Sequence, residues 1–181
     1  MISTNVFKLN DLNCSIKTLE ISDASVLQEL YEKCADYNYL MEGKPPSPTA
    51  ALDEFTTIPE GKSLDDKYMF GIFDCQDKLV GLIEGMQNYP KEKCWWIGLI
   101  MISPAYRRQG ILSSLIKEFE QWIATQGVES IMGSVAETNS KVMRLWKQIG
   151  FKVVRHTKCE DSNMLSNSFS VIERKICYPY N

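Results

Sequence analysis

Apolar residues recur along the chain in two periods, and the switches between them predict the order of elements. Alternating or continuous apolar runs bounded by turn residues predict strands at "SIKTLEI", "KYMFGIFD", "KLVGLIEGMQ", "CWWIGLIMI", "ESIMGSVA", "FKVVRHTKC" and "SFSVIERKI". Helical spacing links Leu27, Leu30, Tyr31 and Cys34 behind a Ser22/Asp23 cap. It returns at Leu112, Leu115, Ile116, Phe119 and Ile123, a stripe closed by Gly127, and again in "NSKVMRLWKQIG". Ser47 and Pro48 read as a cap with proline at the first helical position, so a short helix should follow that proline-broken loop. The three strands between Lys67 and Ile102 predict an antiparallel meander. The full order, β-α-α-β-β-β-α-β-α-β-β, predicts an α/β fold: a single mixed, mostly antiparallel sheet flanked by helices. The C-terminal strand is expected to form an edge open to pairing, as in a homodimer.

Composition narrows the classes. A length of 181 residues fits one domain spanning 1–181, and 44% hydrophobic with 24% charged residues is ordinary for a globular protein. No apolar run reaches 18 residues, and "MISTNVFKLNDLNC" lacks a basic segment leading into an apolar one. Neither a membrane span nor a secretory signal is therefore expected. Cys14, Cys34, Cys75, Cys94, Cys159 and Cys177 are irregularly spaced with no Cys-x-x-Cys pair. They read as reduced thiols of a cytoplasmic protein, not as a zinc site or a disulfide framework. A net charge of −3 and a pI near 5.3 argue against nucleic acid as the main partner.

Charge does concentrate at one junction. In "MISPAYRRQGILSSLIKEFEQW" an apolar strand hands over to a helix through Arg107, Arg108, Gln109 and Gly110. The first N–H groups of a helix have no intrahelical partner and lie at the positive end of its dipole. Glycine there lets an anion approach the backbone, so a phosphate or pyrophosphate is the expected ligand. The same residues read equally well as a solvated turn. Neither a Walker loop nor a G-x-G-x-x-G fingerprint is present.

Two segments together resemble the GNAT superfamily of acetyl-CoA-dependent N-acetyltransferases. "WWIGLIMISPAYRRQGILSSLI" is similar to that family's strand, Q/R-x-x-G-x-G/A turn and helix, and "NSKVMRLWKQIGF" to its N-x-x-A-x-x-L-Y-x-x-x-G-F helix. The resemblance implies acetyl-CoA as cosubstrate. It implies that Arg107, Arg108, Gln109, Gly110, Ile111, Leu112 and Ser113 cradle the pyrophosphate with backbone amides. Ile100, Met101 and Ile102 would pair with the pantetheine arm, in a gap where this strand splays from "ESIMGSVA". An N–H near Ile102 would polarise the thioester carbonyl, and Asn139 and Trp146 would form the other wall. Two positions depart from the pattern. Leu112 replaces a small residue and is tolerable if its side chain points into the core. Trp146 replaces a tyrosine acid and, because indole does not ionise usefully, either packs at the sulfur end of the cofactor or is simply core.

Acetyl transfer needs an uncharged amine, yet a lysine-like amine has a pKa of about 10.4. A carboxylate base is therefore wanted. Glu84, amid Leu82, Ile83 and Met86, is the better candidate, facing either solvent or a pocket. Glu137, at a strand end, is the second and reads also as helix-entry charge. His156, the one histidine, is expected to be structural. Trp95 and Trp96 must point to opposite faces, one into the core and the other free to line an acceptor pocket. Glu32, Asp36, Glu42 and the neighbouring tyrosines would suit a cationic amine, or are a solvated helix face. The expected activity is transfer to a small-molecule or peptide amine by direct attack in a ternary complex; the alternative is a cofactor-binding or regulatory module without turnover.

Overall fold

The computed structural model describes residues 5–9, 12–159 and 164–176. Eight strands form one sheet: β1 (Asn5–Leu9), β2 (Cys14–Thr18), β3 (Lys67–Phe73), β4 (Leu79–Gln87), β5 (Cys94–Ile102), β6 (Ser130–Ala136), β7 (Lys152–Lys158) and β8 (Ser168–Lys175). Their spatial order is β1-β2-β3-β4-β5-β6-β8-β7. Only β5 and β6 pair in parallel; the remaining neighbours are antiparallel. The predicted mixed sheet and its 67–102 meander are therefore present.

Five helices cover the two faces: α1 (Ala24–Lys33), α2 (Ala35–Glu42), α3 (Ala50–Thr56), α4 (Ile111–Ala124) and α5 (Ser140–Gln148). The α4 stripe forms as expected: Leu115, Ile116, Phe119 and Ile123 are buried, and Leu112 packs half-buried against the same cluster. That cluster includes Trp95, Ile97, Ile131 and Trp146. Phe119 meets Trp95 edge-on, ring centroids 5.1 Å apart. On the opposite face Leu27, Leu30 and Tyr31 of α1 and Ala51 of α3 pack on Met69, Leu82, Leu99 and Met101.

Four local expectations are corrected. Strand β1 is absent from the predicted elements. The first predicted helix is two helices, broken at Cys34, whose dihedrals leave the helical basin and whose thiol donates to the Ile102 carbonyl at 3.5 Å. Helix α3 starts at Ala50, beyond Pro48, because Gln28 of α1 organises this entrance: its amide donates to the Ser47 carbonyl at 2.9 Å and accepts from the Ala51 N–H at 3.0 Å. Finally, the C-terminal strand β8 lies inside the sheet, between β6 and β7, so β7 is the edge. Among the described residues no helix is long and apolar enough to cross a membrane; Cys177 lies outside them.

Phe119 carries no exposed surface. Phe119→Ala should therefore cost about 3–5 kcal/mol, measurable as a lower denaturant midpoint at unchanged slope.

Candidate active site

The site begins with a fault in the sheet. Glu84 of β4 pairs with Leu99 of β5 and Gly85 with Ile97, which leaves Gly98 without an opposite residue. An extra residue on one strand is a β-bulge, and it bends the strand that carries it. The bulge falls where β5 and β6 part company, since Ile97–Gly133 is their last pair. It also shifts the alternation: Trp95 and Ile97 pack towards α4 before it, whereas Ile100 and Ile102 do so after it.

Between the parted strands lies a cavity of about 260 Å³. Ile97–Ile100 form one wall and the Met132–Ala136 stretch of β6 the other, with Asn139 and Trp146 of α5 on one side and Tyr37 and Met41 of α2 across from them. Asn139 is the N-cap of α5, its side-chain oxygen accepting from the Val142 N–H at 3.2 Å. Trp146 is a core residue, 8% exposed and edge-on to Phe151 with ring centroids 4.6 Å apart, and it also lines the cavity.

Glu84 is a buried carboxylate, 6% exposed. Its Oε2 lies directly against the Cα of Gly98, so closely that any Cβ there would collide with it. Gly98 also lines the cavity, whereas Glu84 does not, so this residue without a side chain is the window through which the two adjoin. Behind Glu84, its Oε1 sits 3.3 Å from the ammonium of Lys67, which is 3.0 Å from Glu54 Oε1. The Tyr31 hydroxyl donates to Glu54 Oε2 at 2.8 Å. Burial raises the Glu84 pKa to about 7, with Lys67 opposing and Glu54 reinforcing the shift. Tyr37 is raised to about 12 by burial and by the charges of Glu54, Glu42 and Glu84; its hydroxyl therefore keeps its proton across the physiological range.

At the far end of β5, Gly110 caps α4 in a left-handed conformation, φ 82°, with open space where a side chain would project. The first four N–H groups of the helix have no partner within it, and Arg108, Gln109, Gly110 and Ser113 around them are exposed. This terminus suits a pyrophosphate. Arg107 has another engagement. Its guanidinium grips Asp36 of α2 at 2.5 and 2.9 Å, and its Nε donates to the Ile102 carbonyl at 2.8 Å. Gln109 likewise bonds the Ala105 carbonyl at 2.9 Å. Leu112 turns its side chain inward, so it leaves the amide edge clear.

Several expected residues are placed elsewhere. Glu137 is exposed and bound by His156, Oε1 to Nδ1 2.6 Å, with the Ser170 hydroxyl 3.2 Å from the same nitrogen. The structure ties Glu137 to β7 and does not place it in the lining of the cavity. His156 lies at the surface, held between Glu137 and Ser170. Trp95 is fully buried as foreseen, but Trp96 packs on Cys94, Met132 and Val171 and stacks edge-on with Tyr89, away from the cavity. An N–H near Ile102 also cannot serve a carbonyl placed beside Glu84. Four strand steps separate Gly98 from Ile102, roughly 13 Å at about 3.3 Å per residue.

Sequence reasoning missed Gly98, Lys67 and Glu54, whereas Tyr37 was among the tyrosines it offered for a cationic amine. A lone glycine inside a strand pattern is a recognisable bulge signal, so Gly98 could have been found. Lys67 and Glu54 meet only through the fold.

The family model described as an acetyltransferase (GNAT) domain matches residues 16–161. The chain belongs to the GNAT acetyltransferase family. Among curated proteins none matches it by sequence. Similar solved structures include an acetyltransferase from Thermus thermophilus, 17% identical over 95% of this chain and 99% of that one, with a TM-score of 0.71. They also include the ribosomal-protein-S18-alanine N-acetyltransferase of Escherichia coli, 14% identical over 93% and 97%, TM-score 0.65, and a mutant of the spermidine N-acetyltransferase SpeG from Vibrio cholerae, 19% identical over 90% and 94%, TM-score 0.65. At these identities the likeness establishes a common fold.

Gly98→Ala should displace the Glu84 carboxylate from the window. If Glu84 is the base, the expected result is a loss of turnover of about 10²-fold, the lower end of what a positioned base contributes, with acetyl-CoA affinity retained in calorimetry.

Proposed function

We propose that this protein transfers the acetyl group of acetyl-CoA to the amine of a small molecule or peptide, by direct attack in a ternary complex, with Glu84 as general base. The observation that carries the reading is the Glu84 carboxylate set against the Gly98 window, at the point where β5 and β6 separate. A carboxylate with a pKa of about 7 is ionised in a useful fraction at neutral pH and is basic enough to take a proton. A free amine near 10.4 holds its proton more tightly. Glu84 is placed to take that proton from the incoming ammonium before attack; the second N–H proton, acidic once nitrogen has bonded to carbon, is picked up by the departed thiolate.

Acetyl-CoA supplies an acyl group on a thiol leaving group with a pKa of about 8.5. The backbone of Ile100, Met101 and Ile102 would hold the pantetheine arm. The amides of Arg107 through Ser113 would take the pyrophosphate, with Arg108 beside them and Arg107 bracing the loop from behind. Asn139 and Trp146 would close the far wall. The N–H that polarises the carbonyl belongs, on this reading, to the bulge segment Ile97–Ile100. No ionisable acid is assigned for the departing thiolate: Trp146 cannot ionise usefully, and Tyr37 holds its proton too firmly. The thiolate leaves unaided. A cytoplasmic location fits the free thiols of Cys14, Cys34, Cys75, Cys94 and Cys159.

Acetyl-CoA should raise the melting temperature by mass action, and a panel of amines should reveal acetyl-dependent thiol release. Release should climb through about pH 7 as Glu84 ionises. In Glu84→Gln it should fall by about 10²–10⁴ and lose that rise, with thermal stabilisation by acetyl-CoA retained. Undiminished release from Glu84→Gln would remove Glu84 from the mechanism, and stabilisation without release from any amine would favour a binding module.

A further inference from the structure

The carboxylate proposed as base is not alone in the interior. Lys67 opens β3 directly behind it, its side chain only 4% exposed. Its ammonium has three protons and three acceptors: Thr57 carbonyl at 2.8 Å, Glu54 Oε1 at 3.0 Å and Glu84 Oε1 at 3.3 Å. Two of these acceptors come from α3 and its C-cap, the third from the middle of the sheet. One cation therefore serves a buried carboxylate and a partly buried one, and fastens the helix over the base.

We propose that Lys67 is a positioning residue of the active site, whose shared ammonium holds the Glu84 carboxylate at the Gly98 window and sets the charge state in which an incoming amine meets it. The inference rests on Glu84 acting as the base. Burying a carboxylate among Met69, Leu82 and Leu99 without compensation would leave it neutral at working pH. A dedicated counter-ion would hold it fully ionised and poorly basic. A counter-ion divided with Glu54 gives the state between. With both carboxylates ionised the trio carries one net negative charge, which matches the single positive charge of an ammonium substrate. After the proton has moved to Glu84 the amine is neutral and the trio is neutral, so the interior holds no uncompensated charge at either stage.

The groups facing Glu84 come from every element packed on it. Lys67 stands on β3 and Glu54 on α3, and Tyr31 and Tyr37 come from α1 and α2, both held protonated by burial and the nearby acids. The Leu99 N–H of β5 donates to the carboxylate. Among these only Lys67 is cationic, and only Glu54 adds a negative charge. Their removal should therefore act in opposite directions. Taking away the cation disfavours ionised Glu84 and raises its midpoint; taking away Glu54 leaves the ammonium to Glu84 and lowers it.

The test is a ¹³C NMR titration of the Glu84 side-chain carboxyl in the full-length protein, the signal identified by its disappearance in Glu84→Gln. Lys67→Met should move the midpoint up, and Glu54→Gln should move it down, each by about one pH unit or more. Lys67→Arg, which keeps the charge, should stay near the wild-type midpoint. The pH profile of thiol release should shift with the same signs. A purely structural Lys67 would lower activity equally at all pH values. Unmoved midpoints in Lys67→Met and Glu54→Gln would overturn the proposal; if Lys67→Met does not fold, an unmoved Glu54→Gln midpoint does so alone. Because the NMR midpoint is read without turnover, failure of Glu84 as base shows separately, as an unchanged pH profile in Glu84→Gln.

Discussion

The whole site depends on one surplus residue. Strands β4 and β5 could run in register to their ends, and β5 could pair with β6 along its full length, if Gly98 were not inserted between Ile97 and Leu99. The bulge does three things at once. It ends the parallel ladder, it reverses which of the later residues face α4, and it places a residue without a side chain over Glu84. A cavity, an open strand edge and a buried carboxylate beside a cavity-lining glycine all meet at that local mismatch in residue count.

The opened edge has consequences for energetics as well as shape. The edge of β5 that β6 leaves beyond Ile97 would be a liability in a closed sheet, and here its Gly98–Ile100 stretch borders a cleft suited to an extended ligand. The interior on the α1–α3 side is largely apolar, with Asn38 of α2 and the Tyr31–Glu54–Lys67–Glu84 chain as polar members. Charges in such surroundings persist only when paired, so the network is a condition for a charged Glu84 being in the core at all.

Much of this was legible in the chain. The α4 stripe, the meander, the α5 cap at Asn139 and the junction at Gly110 are local patterns of period and capping, and the folded protein displays them. What stayed hidden involved partners far apart in sequence. The first helix reads as one amphipathic run because nothing local marks Cys34; its break answers to Ile102, on the other side of the meander. Ser47 looks like a cap, but Gln28 takes over that duty from another helix. Arg107 looks like a ligand-binding charge until Asp36 is seen across from it. Glu84 could be singled out as a misplaced acid in an apolar strand, yet the cation that justifies it, Lys67, lies at the head of a different strand. Glu137 and His156, nineteen residues apart, gave no local sign of meeting.

The Arg107–Asp36 pair joins the turn before α4 to a helix that walls the cavity on the other side. Both partners are partly wetted, with 37% and 60% of their side-chain surface exposed, and such pairs loosen as ionic strength rises. Salt therefore reaches this protein by two routes. Besides weakening the hold that the helix amides are proposed to have on a phosphate, it slackens the clasp between that turn and the cavity-lining helix.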